Sequence, residues 1–346
     1  MNFSKLHNLL EIDSPSGMEE TIIDYLKNFK VKKFQIVNEL SSDYNLTYYL
    51  DNDSEETLLI DAHVDEIGSR IKIITSKGFL LVKPFGCDAQ KLQGRPAKIF
   101  SDKHNKILPG VFLIDPVHLK KNRQIFGDSL NEELLYVDAG FKSKSEAEKY
   151  LSIGDFVVPQ YPIFKMGLDS KLLTSKALDN TLGVFVLLEL LLYFDENDNS
   201  SNYNLIFNFS SGEEIGNMPF LGFNNVNGIG KINKIIVLDT IFAFDVPFIK
   251  KELYGDIRLG KGPVFERGGP NRGLFRELSN TADKFNIKYQ NYLTDSGGSN
   301  LTYFAKYNSM TQFIGIPARN LHSPVETVHL DDISSTYNLL KKFIQL

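Results

Sequence analysis

His63 and Asp65 stand two residues apart in Thr57-Leu58-Leu59-Ile60-Asp61-Ala62-His63-Val64-Asp65-Glu66-Ile67-Gly68. A histidine can bind a metal through one ring nitrogen while a nearby carboxylate holds the other N–H and fixes the tautomer. Further metal-capable side chains have similar settings. Glu213 and Glu214 follow the apolar run Leu205 to Phe209, and Asp239 follows Ile235 to Leu238. Asp179 lies in Ala177-Leu178-Asp179-Asn180, and His322 in Arg319-Asn320-Leu321-His322-Ser323-Pro324-Val325-Glu326. His63, His322, Asp179, Glu214 and Asp239 make a hard, mixed nitrogen and oxygen set without cysteine. Such a set suits Zn²⁺, Co²⁺ or Mn²⁺ better than a cysteine-rich structural site does. Two cations about 4 Å apart repel, and a bridging Asp or Glu lowers that repulsion. An adjacent pair such as Glu213-Glu214 can divide the work. One carboxylate binds metal while the other handles the proton of a bound water.

Each residue also has a plain structural reading. His63 and Asp65 could be ordinary polar residues of a strand-to-loop junction. Glu213-Glu214 could open a solvated helix, Asp179 could cap one, Asp239 could end a strand in a turn, and His322 could be a packed loop histidine. Their joint occurrence at strand and helix ends favours a metal site, because an open α/β sheet gathers such groups along one edge. His7, His104, His118 and His329 have no comparable setting and read as structural or solvent-facing.

The elements that must hold these residues alternate strand and helix. Phe3 to Leu10 reads as a short amphipathic helix. A second runs from Met18 to about Asn28, with Ser16 or Gly17 near its start suited to capping. Strands are expected at Lys33 to Val37, Leu46 to Leu50, Thr57 to His63, Leu205 to Phe209, Ile235 to Leu238 and Thr311 to Ile316. Helices are expected from Lys176 through Leu192, from Gly273 to Phe285 and from Leu330 to Phe343. From Ser69 to Phe164 strands are short and turns frequent, apart from a helical stretch at Ser143 to Leu151. The expectation is an α/β catalytic domain of residues 1–67 and 165–346, interrupted by a small β-rich, barrel-like domain at 68–164.

The chain of 346 residues is 42% hydrophobic and 23% charged, ordinary for a globular protein with a large core. A formal net charge of −5 gives no support for nucleic-acid binding. The N-terminus lacks a signal-peptide pattern, and Val184 to Leu192, broken by Glu189, is too short to span a bilayer. The single cysteine, Cys87, excludes internal disulfides and fits a reducing cytoplasm.

The motifs together resemble those of the tetrahedral and glutamyl aminopeptidases, co-catalytic metallopeptidases that have also carried the label endoglucanase. The matching runs are Ala62 to Gly68, Ala177 to Asn180, Glu213 to Gly216, Asp239, and Arg319 to Glu326. Weaker ones are Asp13 to Glu19, Gly260 to Pro263 and Thr294-Asp295. The resemblance implies a central mixed sheet flanked by helices. It implies that two divalent ions, Zn²⁺ or Co²⁺ before Mn²⁺, are held by His63 and Asp239 on one side, by Glu214 and His322 on the other, and by Asp179 as bridge. Asp65 would orient His63, Glu213 would be the general base, and the peptide after Asp179 would be cis. The inserted domain would mediate assembly into hollow homo-oligomers, dodecamers in the family. Thr181 stands where the family has Arg, and Gly216-Asn217-Met218-Pro219-Phe220 replaces a Gly-Leu-Arg-Gly-like run.

The expected function is therefore metal-dependent release of N-terminal residues from peptides with a free N-terminus, with neither nucleic acid nor membrane as partner. The competing readings are a related two-metal amidohydrolase, such as a deacylase or carboxypeptidase, and a metal-binding scaffold without activity. A glucanase would call for paired carboxylates without histidine ligands.

Overall fold

The computed structural model describes the chain except residues 39–44, 115–133, 198–200, 217–230, 269–270, 294–297 and 309. His118, Thr294-Asp295 and the departure at Asn217 to Phe220 lie outside the described residues.

The strands in chain order are β1 (Gln35–Asn38), β2 (Leu46–Leu50), β3 (Thr57–His63), β4 (Gly68–Ile74), β5 (Leu80–Phe85), β6 (Pro96–Ser101), β7 (Lys106–Phe112), β8 (Leu135–Asp138) and β9 (Phe156–Pro159). They continue with β10 (Phe164–Met166), β11 (Leu172–Ser175), β12 (Asn204–Ser210), β13 (Lys234–Phe242), β14 (Val264–Glu266), β15 (Gln290–Tyr292), β16 (Thr311–Arg319) and β17 (Glu326–His329). The main sheet has the order β1-β2-β12-β3-β13-β16-β17-β11-β10, with β14 and β15 beside β16. Its centre, β12, β3, β13 and β16, is parallel, while the neighbours on either side run antiparallel.

The central strands are buried on both faces, which is why they read as continuous apolar runs. Side chains still alternate. Leu58, Ile60 and Ala62 of β3 face a core with the helices, whereas Leu59 packs on the opposite side with Ile206, Ile235 and Val237. By the same period of two, Asp61 and His63 project on the Leu59 side, and Asp239 on the side of Ile235 and Val237. The Leu178–Glu196 helix is apolar around nearly its whole circumference and is buried between β3, β13 and the N- and C-terminal helices. Two of its buried acids are satisfied: Glu189 by Lys5 at 2.8 Å, and Asp195 by the backbone N–H groups of Lys32 and Lys33, both at 2.8 Å.

Between β3 and β10 the chain forms a closed barrel, β4-β5-β8-β7-β6-β9. Ile71, Leu80, Val82, Ile99, Phe112, Val137 and Val157 fill its interior. Lys98 of the barrel pairs with Asp13 at 2.7 Å, and Arg70 donates to the Ser16 carbonyl at 3.2 Å. The expected mixed α/β fold with a small β-rich unit is the observed one. No helix among the described residues is long and apolar enough to cross a membrane.

Three local expectations are corrected. β13 does not end at Asp239 but continues to Phe242, because β16 pairs with it through Phe242 and Ala318. The helix expected at Ser143 to Leu151 shortens to Lys144–Ala147, capped by the Ser143 hydroxyl. Neither Ser16 nor Gly17 caps the Glu20–Lys27 helix, whose N-cap is Glu19 without a side-chain bond. Ser16 is used elsewhere.

Candidate metal centre

The site forms where two strands part. β3 pairs with β12 as far as His63 and Ser210, but with β13 only as far as Asp61 and Val237. Beyond that point the Leu238 carbonyl is released from β3 and accepts the Asn180 side-chain N–H at 2.8 Å. This draws the loop before the long helix into the opening. That loop turns through Ala177 in the left-handed region (φ 53°), and its Asp179–Asn180 peptide is cis, as the resemblance implied. Asp179, at the entrance to the helix, does not cap it; its carboxylate reaches across to two histidines.

His63 Nε2 lies 3.3 Å from Asp179 Oδ1 and 3.4 Å from Asp239 Oδ1. His322 Nε2 lies 3.4 Å from the other Asp179 oxygen, Oδ2, and His322 Nδ1 lies 3.9 Å from Glu214 Oε2. Two triads result, His63-Asp179-Asp239 and Asp179-Glu214-His322, each with potential ligand atoms within 4.8 Å of one another. Asp179 belongs to both. Glu213 is half-buried at the rim, with Oε2 3.9 Å from His63 Nε2. All seven residues singled out in the sequence are thus brought to one place. His7 and His104 are exposed, and His329 accepts the Asp331 N–H at the start of the last helix, so none of these belongs to the site.

Both histidines have their far nitrogen engaged. His63 Nδ1 faces the Asp65 carboxylate at 3.4 Å and the Asp65 carbonyl at 3.2 Å. His322 Nδ1 bonds the carbonyl of Gly86, the residue directly after β5. The barrel therefore supplies one polar group to the centre. In each ring this leaves Nε2 directed at Asp179.

Several supporting residues were not foreseen. Ser16 donates its hydroxyl to Asp65 Oδ2 at 2.6 Å, and the backbone N–H groups of Glu213 and Glu214 donate to the same carboxylate at 3.1 Å each. Lys176 pairs with Glu66 at 2.7 Å and Asp13 at 3.2 Å, all three buried or nearly so. Glu326 accepts the backbone N–H groups of Asp179 and His322. Asp13, Ser16, Glu66 and Glu326 all lie in runs that stood out in the sequence, but none of those runs signals which bond its residue makes.

Charge is crowded here. Burial disfavours ionisation of His63, but Asp239, Asp179 and Asp65 outweigh it and raise its pKa well above that of a free imidazole. The hydrogen bond to Asp179 pushes His322 up to about 10. Burial, with the neighbouring acids, pushes Glu213 up to about 8, while His63 opposes the shift. Burial and Asp179 raise Glu214 well above the ordinary carboxyl range. Asp179 goes the other way: burial would raise it, but hydrogen bonds from His322 and His63 hold it far below.

The donor set fits divalent cations. Glu214 Oε1 is buried without a hydrogen-bond partner among the described residues, although buried carboxylate oxygens are normally bonded. More carboxylates than histidines meet in this space; burial, and then their mutual repulsion, raises Glu213, Glu214 and Asp239, and a cation would offset both.

The family model of M42 glutamyl aminopeptidases matches residues 45–339. The chain belongs to the M42 glutamyl aminopeptidase family. It is an aminopeptidase, a hydrolase of peptide bonds, from a family that uses divalent metal. The motif resemblance is borne out across nearly the whole chain. The peptidase is 26% identical over 355 residues to the glutamyl aminopeptidase of Lactococcus lactis subsp. cremoris, spanning 99% of this chain and 95% of that one. Its structure is similar to that of the aminopeptidase APDkam598 from the archaeon Desulfurococcus kamchatkensis (TM-score 0.85, 26% identity, 99% of this chain and 94% of that chain). It is also similar to the Pyrococcus horikoshii TET1 peptidase, which can assemble into a tetrahedron or a large octahedral shell (TM-score 0.81, 29% identity, 99% and 98% coverage).

Proposed function

We propose that the peptidase removes N-terminal residues with two divalent ions in the paired triads and Glu213 as general base. The observation that carries this reading is the division of Asp179 between two histidines, Oδ1 toward His63 and Oδ2 toward His322. A single carboxylate with a separate set of ligands on each oxygen is the arrangement two adjacent cations require. His63 and Asp239 would complete one site, Glu214 and His322 the other. Zn²⁺ and Co²⁺ suit the nitrogen and oxygen donors, with Mn²⁺ the third choice. Ions bound there would lower the pKa of water and stabilise the oxyanion of the scissile carbonyl.

The chain's own contribution is placement and proton handling. Asp65 holds the amides of both Glu213 and Glu214, so the base and its ligand neighbour keep a fixed relation. Glu213, at the rim and 3.9 Å from His63 Nε2, would take a proton from the attacking water and return it to the leaving amine. Glu213→Gln tests the role. It should keep metal stoichiometry and substrate KM and lose kcat by about 10²–10⁴-fold; unchanged turnover would refute it.

We further read the barrel as an inserted domain, residues 68–164, and the protein as a cytoplasmic homo-oligomer of the dodecameric kind. The shell assembly of the Pyrococcus horikoshii relative and the exposed apolar side chains Ile107, Val111 and Ile114 on the barrel support the assembly. Light scattering on the purified protein measures it directly.

A further inference from the structure

Glu326 belongs to neither triad, yet it touches the residue the two share. It opens β17 and is 1% exposed. Its Oε2 accepts the N–H of Asp179 at 2.9 Å, and its Oε1 accepts the N–H of His322 at 2.8 Å. The two amides come from loops far apart in sequence, before the long helix and after β16. Their side chains meet again at His322 Nε2 and Asp179 Oδ2, 3.4 Å apart. The main chains are joined through Glu326 and the side chains through the candidate ligand pair, so a closed ring results. Strand pairing puts the carboxylate where it can do this: Glu326 lies opposite Ser175, the last residue of β11, and β11 leads into the Asp179 loop.

Both loops need such a clamp. Each turns through a left-handed residue, Ala177 at φ 53° and His322 itself at φ 56°. A residue with a Cβ keeps that conformation when its surroundings over-determine it. A carboxylate is the side chain with two oxygens free to accept one N–H each. Glutamine at this position would turn a donor toward one of those N–H groups.

We propose that Glu326 is a positioning residue that sets the spacing of Asp179 and His322, and thereby the affinity of the His322 side of the centre for its ion. The inference rests on the two-ion reading above. The two sides differ in their dependence on the clamp. Asp179 has other supports, His63 and the Asn180 bond to Leu238, and β3 fixes His63 independently. His322 is in a loop, its side chain 39% exposed, and besides the Gly86 carbonyl it has the Glu326 bond to hold its backbone.

The test is calorimetric titration of metal-stripped wild type and Glu326→Gln with Co²⁺, with bound ions counted by elemental analysis. Wild type should take up two ions per subunit. The variant should bind its first ion as wild type does and its second about 10- to 100-fold more weakly, the usual effect of losing a group that orients a ligand. Equal weakening of both ions would mark a general structural role and overturn the proposal, as would two unaltered affinities. A wild type that takes up fewer than two ions overturns the two-ion reading and this inference with it. Should Glu326→Gln not fold, hydrogen exchange in the wild type decides. Slow exchange at the Asp179 and His322 amides sustains the clamp, and fast exchange at either one overturns it.

Discussion

The Asp65 carboxylate accepts the Ser16 hydroxyl at 2.6 Å while its other oxygen lies 3.4 Å from His63 Nδ1. Asp65 is thereby fixed from the N-terminal segment and in turn fixes the first candidate ligand and, through two amides, the Glu213-Glu214 pair. Burial works against its charge, but His63 and Ser16 hold its pKa below the usual carboxylate range. Asp65→Asn should weaken metal binding by about 10- to 100-fold and depress kcat with it. Ser16→Ala, which removes one charge-assisted bond, should lower stability by about 1.5–3 kcal/mol. Metal titration and denaturant unfolding measure the two effects.

Lys176 and Glu66 form a buried pair, Glu66 three residues after His63 and Lys176 three residues before Asp179. Its value lies in not leaving either charge alone. Lys176→Met keeps the volume but strands Glu66 and leaves Asp13 to Lys98 alone, and should destabilise the fold by about 3–5 kcal/mol. Restoration of stability by a second change, Glu66→Gln, would show that the lost partner and not the lost packing is responsible. Urea unfolding of the single and double variants is the measurement.

Asp332, fully buried at the start of the last helix, accepts the N–H groups of Gly260 and Gly262 at 2.7 Å each. Burial nevertheless pushes its carboxyl up to about 7. In the unfolded chain it ionises near pH 4. The fold therefore holds one more proton between about pH 4 and 7, and its stability falls as pH rises through that window and levels off above it. Asp332→Asn cannot ionise. Its stability deficit relative to wild type should shrink between pH 4 and 8 by on the order of 3–4 kcal/mol, read by unfolding at a series of pH values.

Removal of divalent ions should destabilise the protein, because Asp179, Asp239 and Glu214 are buried together with few cations near them. At about a thousandfold excess over Kd, each ion contributes about 4 kcal/mol. Thermal unfolding with and without a chelator checks this, and re-addition of Zn²⁺ or Co²⁺ should restore the original midpoint. Chelation without change in the midpoint would count against a bound ion.

Residue chemistry and local pattern determined a good deal. Burial on both faces wrote β3, β12 and β13 as apolar runs, and the motifs at their ends, with those at the start of the long helix and after β16, named the seven side chains that do meet. What tertiary structure decided was why they meet. Asp239 read as a strand end because polar Asp239-Thr240 follow four aliphatic residues, yet it sits inside β13, since strand length is set by the partner β16. The opening that admits the Asp179 loop exists because β3 stops pairing with β13 at Val237. Ser16 looked like a helix cap and instead bonds Asp65. The supports of the site, such as the Gly86 carbonyl and the two amides on Glu326, are main-chain groups that every residue carries. The physical reason is one of range: periodicity reports on neighbours along the chain, whereas register between strands and bonds to backbone amides arise only when distant segments have packed.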